Sequence, residues 1–520
     1  MKNIIKISLL FAITIFSILE VAAQTSKQPV LKNKANAIFQ SEAEKAEVLY
    51  RPQIHFTPKK GWMNDPNGMF YKDGVYHLYF QHNPDSNVWG PMHWGHATSK
   101  NLIDWKHQPI AIYPDSIGMI FSGSAVVDKK NTSGFGKNGI TPIVSIFTQH
   151  NMEGEQTGRT DFQNQSIAYS LDNGYTWKMY KGNPVIKNPG IKDFRDPKVI
   201  WHEASKKWIM IVAVKNKVSF YSSANLIQWT KESDFGENIG NHDGVWECPD
   251  LFTLKNENKT YWVLTSSINP GGPNKGSATQ YFIGNFDGHT FTSNTTKTKW
   301  MDFGTDNYAS VTWSDNGSEK ISIGWMSNWI YAREVPTFNW RSAATLPRLL
   351  ALKNVNGEIY LTSDARKFVH SLPKKTQQLT NGKGKLEVPS LGSAYKISFN
   401  QNNLSPYRVS LSNDLGEHLD FGYDSVTNQF FIDRSFAGVH KFNPEFAAKH
   451  ISPRIEVSNN TSFYAIIDKA SIEFFADGGL NVMTDIFFPT VPYTNINIIS
   501  NNKKAITDHF EVATFLSNNK

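Results

Sequence analysis

The sequence predicts an all-β protein, a radially repeated assembly of sheets followed by a second β domain. From Tyr50 onward, short runs rich in β-branched and aromatic residues alternate with Gly, Asn, Asp and Pro turns. Val75-Tyr-His-Leu-Tyr-Phe80, Trp208-Ile-Met-Ile-Val-Ala-Val214 and Tyr261-Trp-Val-Leu264 are examples. That texture marks strands and turns, and no long segment keeps a helical period. A turn sequence also recurs. Ser99-Lys-Asn-Leu-Ile-Asp-Trp105 resembles Ser223-Ala-Asn-Leu-Ile-Gln-Trp229, with looser relatives at Ser170–Trp177 and Asn285–Phe291. Each copy follows one expected strand and precedes another, as four-stranded sheets set around an axis require. The repeat fades after about residue 350. Residues 362–370 read as a linker or short helix, and alternation resumes in Phe463–Ile467 and Ser471–Gly479. A sandwich of two sheets fits this last part.

In chain order, the first element is an expected export signal over residues 1–23. Lys2 and Lys6 give a basic start, Ile7–Leu19 an apolar run, and Val21-Ala22-Ala23 a cleavage site before Gln24. The run is too short to span a bilayer, and no other stretch is apolar enough, so no membrane anchor is expected. Residues 24–49 form a polar leader, loose or with one short helix. The repeated domain is expected over 50–355, a linker over 356–370 and the sandwich over 371–520. Export to the periplasm or the medium fits this layout.

Composition supports a folded chain. Of 520 residues, 40% are hydrophobic and 19% charged, which favours buried cores over disorder. Cys248 is the only cysteine, so no internal disulfide forms and no lipid anchor on cysteine follows the signal. The formal charge of +7 is scattered, with only short pairs such as Lys59-Lys60 and Lys374-Lys375. Nucleic-acid binding needs a concentrated basic face, so no such partner is expected.

Three carboxylates stand out. Asp65 lies in Trp62-Met-Asn-Asp-Pro-Asn-Gly68. Asp-Pro-Asn-Gly reads as a tight turn, or as a rigid mount that loses little orientation when its carboxylate attacks. Asp196 lies in Phe194-Arg-Asp-Pro197, either a surface ion pair and turn or an ionised grip for sugar hydroxyls. Glu247 lies in Val245-Trp-Glu-Cys-Pro-Asp250. It is either an edge residue facing water or a carboxyl packed among apolar neighbours, the setting that suits a general acid. A thiol nucleophile at Cys248 is the weaker reading, because a lone buried cysteine behaves as a small hydrophobe. His77, His82, His93 and His96 lie close together. Strand spacing does not present His93 and His96 as a helical ligand pair would, so core or hydrogen-bonding roles are expected and no metal.

Taken in order, the motifs are Trp62–Asn67, Phe80–Pro84, Trp94–Ala97, Phe121–Ser124, Arg195–Pro197, Glu247–Pro249, Trp325–Trp329, Trp340–Ser342, Leu346–Arg348 and Ser471–Phe475. Together they resemble glycoside hydrolase family 32, the invertases, levanases, inulinases and fructan exohydrolases. The likeness covers roughly residues 50–515. It implies a five-bladed β-propeller followed by a β-sandwich domain. It implies Asp65 as nucleophile, Glu247 as acid/base, and Asp196 as the carboxylate that holds the fructosyl hydroxyls. Asn64, Gln81, Trp89, Phe121, Ser122, Arg195 and Trp329 would line the fructose pocket, Trp62 would flank it, and Arg195 would keep Asp196 ionised. The implied chemistry is retaining hydrolysis of levan, inulin or sucrose, exo-acting, with two carboxyls about 5 Å apart and no metal or organic cofactor. A fructosyltransferase on the same scaffold, a non-catalytic fructan-binding propeller and an arabinan-cleaving relative are the alternatives.

Overall fold

Five sheets, antiparallel but for one short pair, stand in chain order between residues 61 and 364 of the computed structural model. The first is built on strands Gly61–Lys72, Val75–Asn83, His93–Ser99 and Lys106–Ile112. The others open on Met119–Val127, Phe194–His202, Val245–Asn256 and Tyr308–Thr312. These five opening strands touch one another in turn, and the last touches the first, so they form a closed ring around one axis. The architecture is a five-bladed propeller. Closure is helped by Trp340–Arg341, which pairs in parallel with Gly61 and Trp62. Main-chain bonds from Tyr71 to Ser314 (2.9 Å) and from Ser314 to Met69 (2.9 Å) also join the last blade to the first.

The structure describes residues 41–378, 385–387, 394–500 and 509–516. The chain divides into two compact units, Met1–Lys45 and Ala46–Lys520. Of the first, only residues 41–45 are described, and they are helical. The expected export signal and most of the leader lie outside the described residues. Everything below concerns the second unit.

The sequence repeat has a structural cause. All four copies join the third and fourth strands of a blade, in blades one to four. In the two best copies, Leu102 (φ 67°) and Leu226 (φ 63°) adopt the left-handed conformation and are buried. A leucine there is uncommon. Local side chains hold it in place: Ser99 Oγ accepts from Leu102 N (2.8 Å), and Asn101 Oδ1 accepts from Asp104 N (2.8 Å). Asn225 Oδ1 accepts likewise from Gln228 N (2.9 Å). Serine and asparagine are therefore needed to satisfy the turn's amides, and leucine to plug the blade.

Two six-stranded antiparallel sheets make up the C-terminal sandwich, one containing Thr461–Asp468 and Ser471–Ala476, the other Tyr407–Ser412 and His418–Asp424. Their inner faces meet over Phe399, Phe421, Phe430, Phe463 and Phe474. Alternate residues of strands such as Tyr395–Gln401 and Tyr407–Ser412 point into this layer, as sheet-on-sheet packing requires.

The expected linker begins too early. Residues Glu358–Asp364 form the outer strand of the fifth blade and pair with Arg348–Val355. Asn356 (φ 50°) and Gly357 (φ 82°) both have positive φ, so Asn-Gly here is a tight hairpin turn. A helical turn, Arg366–Val369, follows before the first sandwich strand at Lys374.

Propeller and sandwich share a buried polar seam. His55 lies between Asp468 Oδ2 (2.8 Å) and Glu473 Oε1 (2.8 Å), and Arg348 joins Glu473 to Asp302 (2.8 Å). These groups are almost wholly excluded from water. Buried charges are tolerated when paired and hydrogen-bonded in this way.

Candidate active site

Every innermost strand breaks its ladder register near its start. These breaks fall at Met63–Pro66, Ile120–Gly123, Arg195–Lys198, Glu247–Asp250 and Tyr308–Val311, and the first strand has a further one at Asn67–Phe70. A bulge bends a strand and re-aims its side chains. Here five bulges at one level turn polar groups toward the propeller axis. Asp-Pro-Asn-Gly at 65–68 is thus not a separate turn, as one reading of the sequence expected, but a bulged stretch of strand. Proline is accepted at such a site because the ladder needs no amide from it.

Three of the bulges carry backbone strain, the third at Ala309 (φ 52°). Asp196 (φ 64°) and Cys248 (φ 44°) are left-handed non-glycine residues. They fix each other: Cys248 N donates to Asp196 Oδ2 (3.0 Å), and Asp196 N donates to Thr148 Oγ1 (2.9 Å). Strained residues persist where the surroundings over-determine them, and they cluster at functional sites.

The bulges bring Asp65, Asp196 and Glu247 to one cavity of about 280 Å³. Asp65 Oδ2 accepts from Ser122 Oγ (2.6 Å) and its Oδ1 accepts from Asn64 Nδ2 (3.0 Å). The Cys248 thiol sits 3.4 Å from Asp65 Oδ2 and 3.6 Å from Asp196 Oδ2. Glu247 Oε1 accepts two bonds from Arg195, from Nε (3.0 Å) and Nη2 (2.8 Å), while Glu247 Oε2 accepts from the Tyr308 hydroxyl. Asn64, Gln81, Trp89, Phe121, Ser122, Arg195 and Trp329 all line the same cavity. Gln81 is anchored by a bond from Nε2 to Ile120 O (3.0 Å), and Trp89 meets Phe121 edge-on, with ring centres 6.1 Å apart.

Electrostatics set the protonation behaviour. Burial and the nearby Glu247 push the Asp65 carboxyl up, against the bonds from Ser122, Asn64 and Cys248. Burial likewise raises Asp196. Arg195 opposes the rise, while Glu247 and Asp65 add to it. Like charge close by thus works against ionisation of both Asp65 and Asp196. Burial acts against the Arg195 charge, but Glu247, Asp196 and Asp193 outweigh it and hold the cation firmly. Burial and the flanking carboxylates raise the Cys248 thiol well above its ordinary range. A thiol so held is a neutral donor, which removes the thiolate reading.

Several expectations are corrected in detail. Glu247 is not packed among apolar neighbours. Its carboxylate is gripped by a guanidinium and a phenol, and its side chain is 20% exposed. Arg195 serves Glu247 and Asp193 (2.7 Å) more closely than Asp196, from which its Nε lies 4.0 Å. Trp62 stands behind the cavity wall rather than in it. It is fully buried, stacked on Trp329 at 5.7 Å, and donates from Nε1 to Asn64 Oδ1 (2.7 Å). It positions the residue that positions Asp65. The histidines divide: His77 Nδ1 meets His96 Nε2 at 3.1 Å, while His82 binds Trp62 O (2.7 Å) and His93 binds Pro91 O (3.0 Å).

The sequence reading missed Tyr308, His150, Glu155, Asp193, Asn269 and Arg333. All but Tyr308 line the cavity. Arg333 lies 5.8 Å from the Trp89 ring and 6.0 Å from that of Trp329, tying two walls together. Asp193 had a readable signal, since it stands two residues before Arg195. Tyr308 had none, because nothing beside it in sequence is reactive.

A propeller channel with converging carboxylates, aromatic walls and an arginine clamp has the furnishings of a glycoside hydrolase. Comparison with known proteins agrees. The model of the glycosyl hydrolases family 32 N-terminal domain matches residues 55–363, and that of the family 32 C-terminal domain matches 360–514. A levanase of Bacillus subtilis is 45% identical over 458 residues, covering 85% of this chain and 66% of its own length. An extracellular exo-inulinase of Aspergillus niger is 38% identical over 493 residues, covering 87% of this chain and 92% of its own. The crystal structure of an exo-inulinase from Aspergillus awamori superposes with a TM-score of 0.81 at 36% identity, covering 90% of this chain and 98% of that one. The chain belongs to glycoside hydrolase family 32.

Proposed function

We propose that this β-fructosidase works by double displacement, with Asp65 as nucleophile and Glu247 as acid and base. Asp65 would attack the fructosyl C2 and form an ester while Glu247 protonates the departing oxygen. Water activated by Glu247 would then release fructose. Asp196 would accept bonds from the fructosyl hydroxyls. The observation that carries the reading is the single cavity shared by Asp65, Glu247 and Asp196. Ser122, Asn64 and Cys248 donate to Asp65 and so favour the anion that attacks. Arg195 and Tyr308 hold Glu247 from two sides, so little orientation remains to be fixed. Proton transfer from a placed group typically adds roughly a hundred- to ten-thousandfold in rate.

Release of single fructose units from chain ends fits a walled cavity of about 280 Å³ and agrees with the exo-inulinase relatives. Export fits the basic start and apolar run of residues 2–19 and the extracellular relatives. No helix among the described residues is long and apolar enough to cross a membrane. The test is a time course of products from levan, inulin and sucrose. Free fructose from the first minutes is expected. Early oligosaccharides from the polymers would overturn exo action, and lengthening oligosaccharides from concentrated sucrose would overturn hydrolysis in favour of transfer.

A further inference from the structure

Beyond the catalytic level, the same innermost strands line a second and larger cavity, of about 380 Å³. Lys198 stands just past Asp196, Leu251 just past Glu247, and Thr312 just past Tyr308, so this cavity lies toward the other end of the channel. A space of about 20 Å³ separates the two, with Asp196 and Cys248 on one side and Lys198 and Thr312 on the other.

The walls combine tryptophan rings, Trp201 and Trp262, with four amino groups, from Lys129, Lys130, Lys198 and Lys320. Two of the four are neutralised by carboxylates. Lys198 Nζ donates to Asp250 Oδ2 (3.2 Å) and Thr312 O (2.7 Å), and Lys129 pairs with Asp315 (2.9 Å). Glu203, the other acid in the wall, pairs with Lys206, accepts from Trp201 Nε1 (2.5 Å) and is attracted more weakly by Lys130, with which it makes no ion-pair contact. Lys130 lies over the Trp201 ring at 4.9 Å. Lys320 donates to the carbonyl of Gly317 (3.3 Å), and no carboxylate among the described residues lies within ion-pair distance of it. Burial holds its amine below the ordinary lysine range. Asp250 and Asp315 offset this in part, and Lys198 adds to it. A partly buried cation with no carboxylate in contact is only partly compensated, and an anion in the cavity completes the compensation.

We propose that this second cavity binds a small oxyanion, phosphate or the phosphate ester of a monosaccharide, through Lys320 and Lys130. The tryptophan side chains in the wall supply apolar surface against which a sugar attached to the phosphate can pack. The site is independent of the catalytic carboxylates. None of its lysines takes part in the proposed hydrolysis.

The test is calorimetric titration of the full chain at low salt with inorganic phosphate, glucose 6-phosphate and glucose. One phosphate-bearing ligand per chain is expected, with glucose silent. Lys320→Gln should weaken binding about tenfold or more while levan hydrolysis stays at the parent rate, which shows that the variant is folded. Raising the salt should weaken binding in the parent as well. Tighter binding of the ester than of phosphate assigns a sugar phosphate, and equal binding assigns the free ion. Absence of binding by both, or binding unchanged in Lys320→Gln, or binding lost in Arg195→Gln rather than Lys320→Gln, would overturn the proposal.

Discussion

Ser122 donates its hydroxyl to Asp65 Oδ2 at 2.6 Å, from the bulge of one blade to the bulge of the next. The bond favours the ionised carboxylate, and burial and Glu247 oppose it. Ser122→Ala should therefore raise the Asp65 carboxyl further. An attacking carboxylate is lost as pH falls through its midpoint, so the acid limb of the kcat/KM profile should move to higher pH. At the low-pH end the loss should be about tenfold, the worth of one bond to a charged group. An unmoved limb would show that Ser122 does not tune Asp65.

Replacing the carboxylates should separate activity from stability. Asp65→Asn and Glu247→Gln should each lower hydrolysis by about a thousandfold or more, as loss of a unit of covalent catalysis does. The raised Asp65 carboxyl means that folding disfavours its charge, so Asp65→Asn should melt no lower than the parent at pH 7. Glu247→Ala should regain part of its rate on fructosides whose leaving group needs no proton. Near-normal turnover by either variant would refute the roles.

The seam between propeller and sandwich should make stability fall at alkaline pH. Burial works against the His55 charge, but Asp468 and Glu473 outweigh it and raise the imidazole to about 9. The folded-state midpoint thus lies above the unfolded value of 6.5. The stabilisation is complete below about pH 6.5 and disappears as pH rises through about 9. Its size is on the order of 3 kcal/mol. His55→Gln should lower the melting temperature at pH 6 and much less at pH 10, as followed by scanning calorimetry. An equal effect at both would contradict a charged His55.

The Cys248 thiol should be inert. It is buried and held protonated beside two carboxylates. Iodoacetamide at neutral pH should leave the folded enzyme active and unlabelled, by mass spectrometry. Rapid inactivation would mean that the thiolate is populated.

Much of this was legible in the sequence, for identifiable reasons. The strand texture and the Leu102 and Leu226 turns are local, so their pattern survives in the chain. Asp65, Asp196 and Glu247 announce themselves because each stands in a short motif with proline. What escaped depends on partners distant in sequence. The register breaks exist only when neighbouring strands are paired, so Asp65 read as part of a turn. Tyr308 reaches Glu247 from the neighbouring blade, and Arg195 turns toward Glu247 rather than its neighbour Asp196, which no local motif encodes. The propeller boundary was misplaced because Asn356-Gly357 was taken for a linker when it is a hairpin turn.

The most direct test of the account is to trap the ester. Glu247→Ala should accept fructosyl fluoride, whose leaving group needs no acid, and then release the sugar slowly for want of a base. Intact mass after brief exposure should show one added fructosyl unit, and peptide mapping should place it on Asp65. An adduct on Asp196 or Cys248, or no adduct during measurable turnover, would contradict Asp65 as the nucleophile.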